Sequence, residues 1–223
     1  MADTNLSILE EDIGSDIIER KAMLLQTKTF CFRYNLKTED EQYIFNFSIP
    51  IIYSIWEGFI QTSFQTYVRE INRLNLKMED FCEPMVVYNM EKKVRQLKQY
   101  PNEFPRKVTM FNKLKQVFSE DPFVIFPIVD TQSNVGFKVL NKILKDFNLD
   151  PISDFIRPRY SLAVELDKFL LKIRNDISHG NNPYIIKAED VERAILLVEL
   201  LMDEVYDRIT HGFLVRESYK TSV

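Results

Sequence analysis

One long apolar stretch without a clear turn constrains the fold more than any other feature of the chain. It reads "YIFNFSIPIIYSIWEGFIQTSFQTYVREINRL" from Tyr43 to Leu74, interrupted only by Pro50. Just before it, "TEDE" at Thr38 to Glu41 has the form of a capping box and predicts a helix start. Because proline removes a hydrogen bond and crowds the preceding turn, we expect a kink at Pro50 or a helix restarted after Ser48.

Apolar residues at helical spacing predict further helices on both sides of this stretch. The predicted spans are Leu6 to about Thr27 (apolar at Leu6, Leu9, Ile13, Ile17, Met23 and Leu24), Met85 to about Lys98, Arg106 to Phe118, Val135 to Phe147, Leu162 to Ile177 and Glu189 to His211. Two prolines in "DPFVIFPIVD" make a central strand improbable, so we interpret this stretch as a buried connector. The sequence predicts an all-α, up-and-down helical bundle.

Composition agrees with one helical domain. The 223 residues include 45% hydrophobic and 28% charged residues but only five glycines, which is typical of a globular, mostly helical chain. We predict a single domain over residues 1–223, with an inserted segment at roughly 78–132. Cys31 and Cys82 form no CxxC pair, and the chain begins with a polar run, so we expect free thiols and a cytoplasmic location. No apolar run reaches the roughly 18 residues of a membrane span.

The charge distribution is uneven. A net charge of −4 and a pI near 5.4 argue against a surface coated with positive charge for nonspecific nucleic-acid binding. Between Met85 and Phe118, however, there are eight basic residues against two acidic ones, Glu91 and Glu103. The basic residues are Lys92, Lys93, Arg95, Lys98, Arg106, Lys107, Lys113 and Lys115. The segment is either a solvated face of surface helices or a surface that tracks phosphates.

The stretch "RNDISHG", from Arg174 to Gly180, contains one of the two histidines of the chain. With about 100° per residue and Ile173 as the origin, Asn175 falls near 200° and His179 near 240°, opposite the apolar stripe. Arg174 falls on a flank, near 100°, from which its side chain can reach that pair. A histidine of this kind is either an exposed helix end stabilised by the helix dipole or a group that transfers protons near pH 7.

The same stretch resembles the R-x4-6-H signature of the HEPN superfamily (higher eukaryotes and prokaryotes nucleotide-binding domains), in which asparagine often follows the arginine. Arg174, Asn175 and His179 occupy those places. Two further stretches, "YSIWEGFIQ" and "SNVGFKVLNKIL", are similar to the MAE-type branch of the superfamily, whose small prokaryotic proteins are linked to defence and toxin systems. The resemblance covers most of the chain.

This resemblance implies a metal-independent endoribonuclease that acts as a homodimer with a composite active site. His179 would help to remove the proton from a ribose 2′-hydroxyl, which attacks the phosphorus and leaves 2′,3′-cyclic phosphate and 5′-hydroxyl ends. Arg174 would stabilise negative charge on the phosphoryl oxygens, and Asn175 would orient His179 or hold the phosphate. The partners implied are RNA, a second copy, and an antitoxin or regulatory protein; no membrane is implied.

Glu57, within the "WEG" match, is the next candidate site residue. It either hydrogen-bonds Arg174 or His179 or is a solvated edge carboxylate. With His211 as the second histidine and two separated cysteines, no metal-ligand spacing is present, and GxxxxGK[ST], GxGxxG and GxSxG motifs are lacking. We therefore expect neither a metal nor a cofactor.

Two functional hypotheses remain open from the sequence. The first is a HEPN ribonuclease that serves as the toxic effector of a prokaryotic toxin-antitoxin or phage-defence system. The second is a catalytically silent helical module that binds a partner protein or nucleotide, with Arg174 and His179 in a dimer interface. The intact Arg, Asn and His favour the first, whereas the acidic balance favours the second because a nuclease must attract a polyanion.

Overall fold

A computed structural model describes residues 2–131, 134–157, 159–180 and 184–215. In these ranges the chain forms seven α-helices: α1 (Ala2–Tyr34), α2 (Thr38–Asn72), α3 (Glu83–Lys93), α4 (Phe104–Phe118), α5 (Phe137–Asp146), α6 (Lys172–Ser178) and α7 (Ala188–Val215). Short 3-10 helices lie at Met78–Asp80 and Arg95–Leu97. Strands β1 (Phe155–Arg157) and β2 (Tyr160–Ser161) form a small antiparallel pair that the sequence analysis missed. The predicted all-α fold is confirmed.

The core is built around α2. Helices α1 and α7 pack on α2 and on each other, and α6 packs on another part of α2. The helix buries five large aromatic side chains almost completely: Tyr53, Trp56, Phe59, Phe64 and Tyr67. Burying a large apolar side chain contributes roughly 1.5–3 kcal/mol relative to exposure. Helix α2 is therefore the element against which α1, α6 and α7 are positioned.

Three details of the helix predictions are wrong. The cap residue of α2 is Lys37, without a side-chain cap, so Thr38 is already inside the helix and the capping box does not form. Its acidic first turn, Glu39 to Glu41, still suits the helix dipole. Of the two alternatives at Pro50, the helix restarted after Ser48 is wrong, because α2 runs through Pro50, whereas the kink stays a prediction. In α1, Met23 is exposed although Leu9, Ile13, Ile17 and Leu24 are buried as an apolar stripe.

The helix that leads to Arg174 is not α-helical throughout. Residues Val164–Leu171 form a π-helix, which continues directly into α6. On this segment the buried Glu165 accepts two hydrogen bonds from Arg193 of α7, both at 2.7 Å, and the Arg193 guanidinium lies 4.2 Å from the centre of the Phe169 ring. These contacts fasten the wider helical turns to α7. A π-helical turn inside an α-helix is rare and frequent at functional sites.

In the segment at 78–132, the connector between α4 and α5 is held by two asparagine side chains, Asn72 of α2 in the bundle and Asn89 of α3 within the segment itself. Asn72 exchanges two hydrogen bonds with the backbone of Ile125, at 2.8 and 2.9 Å. Asn89 does the same with Val124 and Phe126. The buried connector predicted for "DPFVIFPIVD" is confirmed. This stretch has no regular secondary structure, and Phe123 and Ile125 are buried. Whether the segment is an insertion remains a prediction.

No helix in the described residues is long and apolar enough to cross a membrane.

Trp56 provides a test of the core. Its indole Nε1 donates to the backbone carbonyl of Val135 at 3.0 Å in a fully buried position. We expect Trp56→Phe to lower the free energy of unfolding by about 2–4 kcal/mol, because the carbonyl loses its partner and a small cavity opens. Urea unfolding followed by far-ultraviolet circular dichroism measures this. The control Phe32→Leu, on an exposed part of α1, should change stability by less than about 0.5 kcal/mol.

Candidate active site at the end of α6

The Arg174 guanidinium is held in a defined place between α6 and α2. Its carbon Cζ lies 4.5 Å from the centre of the Tyr53 ring, on α2. Its Nη1 donates to Asn175 Oδ1 at 2.7 Å and to Asn134 Oδ1 at 3.2 Å. The predicted approach of Arg174 to Asn175 is therefore seen in the structure. Stacking and hydrogen bonding together hold the arginine side chain in one conformation, although its several rotatable bonds would otherwise allow many.

The segment that leads into α5, residues 134–136 together with Phe137 at the start of the helix, is fastened to two helices, and we call it the strap. Val135 N donates to Tyr53 Oη at 2.6 Å, while Val135 O accepts from Trp56 Nε1. At the end of the strap, Phe137 N donates to Asp167 Oδ1 at 2.8 Å, on the π-helix. Both backbone groups of Val135 are thus satisfied by side chains one turn apart on α2. The strap in turn holds Asn134 against Arg174.

His179 lies immediately after α6, on the solvent side. The helix ends at Ser178, His179 N donates to Asn175 O at 3.0 Å, and Gly180 has φ of 77°, which glycine adopts without strain. The side chain of His179 is exposed and Asn175 is half-buried. All members of the predicted apolar stripe are buried: Leu162, Leu166, Phe169, Leu170, Ile173 and Ile177. The sequence prediction that His179 faces away from the core is confirmed.

Glu57 lies near the same group of residues. It is half-buried on α2, and its negative charge contributes to raising the pKa of Tyr53. Across the described residues, Glu57 has no hydrogen bond to Arg174 or His179. Its role in the site therefore remains a prediction.

The other two members of the "WEG" match have structural explanations. Trp56 secures the strap, as described above. Gly58 leaves room for Arg20 of α1, because a Cβ atom there would lie 2.9 Å from Arg20 Nη1. That guanidinium donates to Ile55 O at 2.9 Å and to Thr62 Oγ1 at 2.8 Å. In the "WEG" match, Trp56 therefore holds the strap on α2, and Gly58 allows α1 to pack there.

Tyr53 and Asn134 are the two residues of the site that the sequence analysis did not single out. Tyr53 stands three residues before Trp56, inside the stretch that resembles the family. Asn134 is in the second such stretch, which begins at Ser133, outside the described residues. Aromatic residues in a long apolar helix are most often core residues. Both residues lie in stretches that resemble the family, and this was a signal that they matter. The spacing of residues along the chain, however, does not predict their contacts with Arg174.

The described part of the chain contains no group of three or more His, Cys, Asp or Glu side chains arranged to hold a metal ion. Cys31 and Cys82 are free and buried, and burial raises the pKa of both thiols, which disfavours the nucleophilic thiolate. Asp176, within the signature, accepts a hydrogen bond from Tyr184 Oη at 2.5 Å.

The buried phenol of Tyr53 predicts a pH dependence of stability. Burial, and then the charge of Glu57, raise the pKa of Tyr53 from 10.0 to about 12. Above pH 10 the unfolded phenol ionises while the folded one stays neutral, so this contribution to stability is lost as the pH rises from 10 to about 12. The free energy of unfolding of Tyr53→Phe should fall less steeply over that range than that of wild type. Urea titrations at pH 9, 10 and 11 measure both slopes, and equal slopes would contradict the assignment.

Comparison with known proteins identifies one family. The sequence profile described as HEPN_MAE_28990-like HEPN matches residues 9–219. Comparisons with curated proteins and with solved structures gave no significant match. The matched range contains α2, the strap, α6 and the "RNDISHG" signature, with Arg174 in the first turn of α6 and His179 directly after its last residue. The chain belongs to the HEPN superfamily, as a member of its HEPN_MAE_28990-like family.

Proposed function

We propose that the protein is a metal-independent endoribonuclease of the HEPN type. The observation that carries the proposal is the arrangement at the end of α6. Arg174 is held on the Tyr53 ring and hydrogen-bonded to Asn175, and the exposed His179 follows Arg174 by five residues and Asn175 by one helical turn. A fixed guanidinium suits the charge that develops on phosphoryl oxygens, and an imidazole suits proton transfer near neutral pH. Membership of the HEPN superfamily is compatible with an RNA substrate.

In the proposed reaction, His179 accepts the proton of a ribose 2′-hydroxyl. The 2′-oxygen then forms a bond to the adjacent phosphorus, the bond from phosphorus to the 5′-oxygen breaks, the 5′-oxygen takes a proton from water, and His179 returns its proton to the solvent. The products are a 2′,3′-cyclic phosphate and a 5′-hydroxyl. Arg174 stabilises the extra negative charge on the phosphoryl oxygens, and Asn175 keeps the guanidinium in place through its Oδ1. Acid-base help typically contributes 10²- to 10⁴-fold.

The proposal includes a homodimer with a composite site. His179 is exposed and points away from the core of its own chain. A second copy whose α6 faces the first would bring two arginines and two histidines to one cleft and exclude water from it, which strengthens electrostatic stabilisation. In the cell the enzyme would be the toxic effector of a prokaryotic toxin-antitoxin or phage-defence system, silenced by an antitoxin or regulatory protein. Glu57 would supply negative charge beside the Tyr53 and Arg174 pair.

One observation favours the alternative, a catalytically silent module for dimerisation or partner binding. The described hydrogen bonds of Arg174 go to side chains of its own chain, Asn134 and Asn175. An arginine held in this way can also have a purely structural role. Such a module would leave RNA intact at any concentration.

The two histidines make a matched pair for the test. Both are exposed residues near the end of a helix, His179 after α6 and His211 in the last turns of α7. We expect wild type and His211→Ala to cut total RNA in EDTA and leave 2′,3′-cyclic phosphate ends. His179→Ala should lose at least about 100-fold in rate, because the proton acceptor is gone. End-group analysis of the fragments measures both results.

Intact RNA with wild type would contradict the enzymatic proposal and favour the silent module. Equal loss of cleavage in His179→Ala and His211→Ala would contradict the specific role of His179. Circular dichroism of all three proteins establishes that they are equally folded. A growth assay with the same variants tests the effector role, since toxicity should follow cleavage.

A further inference from the structure

Helix α4 is the most basic helix of the chain. The 15 residues Phe104–Phe118 include Arg106, Lys107, Lys113 and Lys115 and no acidic residue, whereas the whole chain has a net charge of −4. The helix buries only Met110 and Val117. Most of its surface is therefore exposed, and the helix itself carries a positive charge without acidic residues of its own.

Some basic residues of this region are paired with carboxylates, and others are not. Outside α4, Lys92 pairs with Asp130, Lys93 with Glu120 and Lys98 with Glu91. On α4, Arg106 pairs with Glu103 at 3.1 Å. Over the described ranges, Lys107 and Lys115 contact no carboxylate and instead lie over aromatic rings, 5.1 Å from the centre of Tyr100 and 5.0 Å from that of Phe111.

These lysines belong to a line of aromatic and cationic side chains that begins at Tyr100, before the helix, and alternates from Phe104 to Phe118. We call it the aromatic–lysine stripe, and it consists of Tyr100, Phe104, Lys107, Phe111, Lys115 and Phe118. Phe104, Phe111 and Phe118 are 76%, 56% and 53% exposed. Because they are seven residues apart, they lie along one side of the helix at intervals of roughly 10 Å. A surface with three exposed phenylalanine rings in line is unusual for a helix that has only solvent outside it.

We propose that the aromatic–lysine stripe binds single-stranded RNA. Unpaired bases stack on exposed aromatic rings without regard to sequence, and lysines between the rings neutralise the phosphates that connect the bases. The stripe offers both groups in alternation, and the basic character of α4 complements a polyanion. The inference takes RNA as the substrate class from the proposed function and adds a binding surface separate from Arg174 and His179. It also supplies the local attraction that an acidic nuclease requires.

Two other occupants fit the stripe less well. A membrane-binding helix keeps its cations on the polar face, whereas Lys107 and Lys115 lie among the rings and would enter the apolar layer. A second copy would bring the same lysines against each other, and like charges in an interface are unfavourable. The alternation of rings and cations therefore favours a strand that itself alternates bases and phosphates.

The experiment measures binding without cleavage. All proteins carry His179→Ala, and the probe is a fluorescent 20-nucleotide polyuridine in EDTA, followed by anisotropy over a range of salt concentrations. In the charge variant, Lys107→Gln with Lys115→Gln, the salt dependence should become shallower by about 1.4 in slope, as expected when two phosphate contacts are lost. In the ring variant, Phe104→Ala with Phe111→Ala, affinity should fall at least about 5-fold for each ring with little change in slope.

Matched controls stand on other elements. Lys37→Gln with Lys145→Gln removes two exposed lysines, and Phe32→Ala removes an exposed ring of α1. These controls should bind as the parent does. Binding unchanged in both stripe variants, or reduced equally in the controls, would overturn the inference, as would stripe-dependent binding to anionic vesicles without binding to RNA. If wild type cleaves RNA but RNA binding does not depend on the stripe, this inference alone is overturned. If RNA binding depends on the stripe but wild type does not cleave RNA, only the proposed enzymatic activity is overturned.

Discussion

The phenol of Tyr53 is the contact on which the candidate site depends. The face of its ring carries the Arg174 guanidinium, and its oxygen accepts the backbone N–H of Val135 in the strap. The strap then presents Asn134 to the same guanidinium. One buried side chain on α2 therefore couples the signature helix, the strap and the core. Because Tyr53 is fixed in the core of the bundle, it also fixes the position of the Arg174 guanidinium. Groups that are positioned before the reaction begins are the means by which a fold stabilises a transition state.

Under the proposed function, the charge distribution separates the binding of RNA from its cleavage. The chain as a whole is acidic, so general attraction of RNA to its surface is weak. Under our proposals, the aromatic–lysine stripe of α4 would hold the strand, while Arg174 and His179 would act on one phosphodiester. The ion pairs of Lys92, Lys93 and Lys98 help to explain why a simple count of basic residues overstates the free positive charge outside α4.

Periodicity predicted the large features well because long apolar stripes leave few alternatives. It identified the helices and the buried face of the signature helix, including Ile173 and Ile177. It failed where the backbone departs from regular geometry or where a distant group intervenes. The π-helix at Val164–Leu171 has no distinct sequence pattern, and the strap contacts of Tyr53 and Trp56 join residues about 80 positions apart. The sequence predicted Thr38 as the cap of α2, but Lys37 occupies that position. A helix can begin without a capping side chain, since water or other groups can satisfy its first amides.

We propose that Arg174 and His179 promote attack of the ribose 2′-hydroxyl on the phosphorus without a metal ion. The most direct measurement compares an RNA oligonucleotide that the protein cuts with the same oligonucleotide carrying a single 2′-deoxy nucleotide on the 5′ side of the cut. The account predicts cleavage of the first in EDTA and none of the second at that bond. Cleavage of both at similar rates, or cleavage only after a divalent metal ion is added, would contradict it.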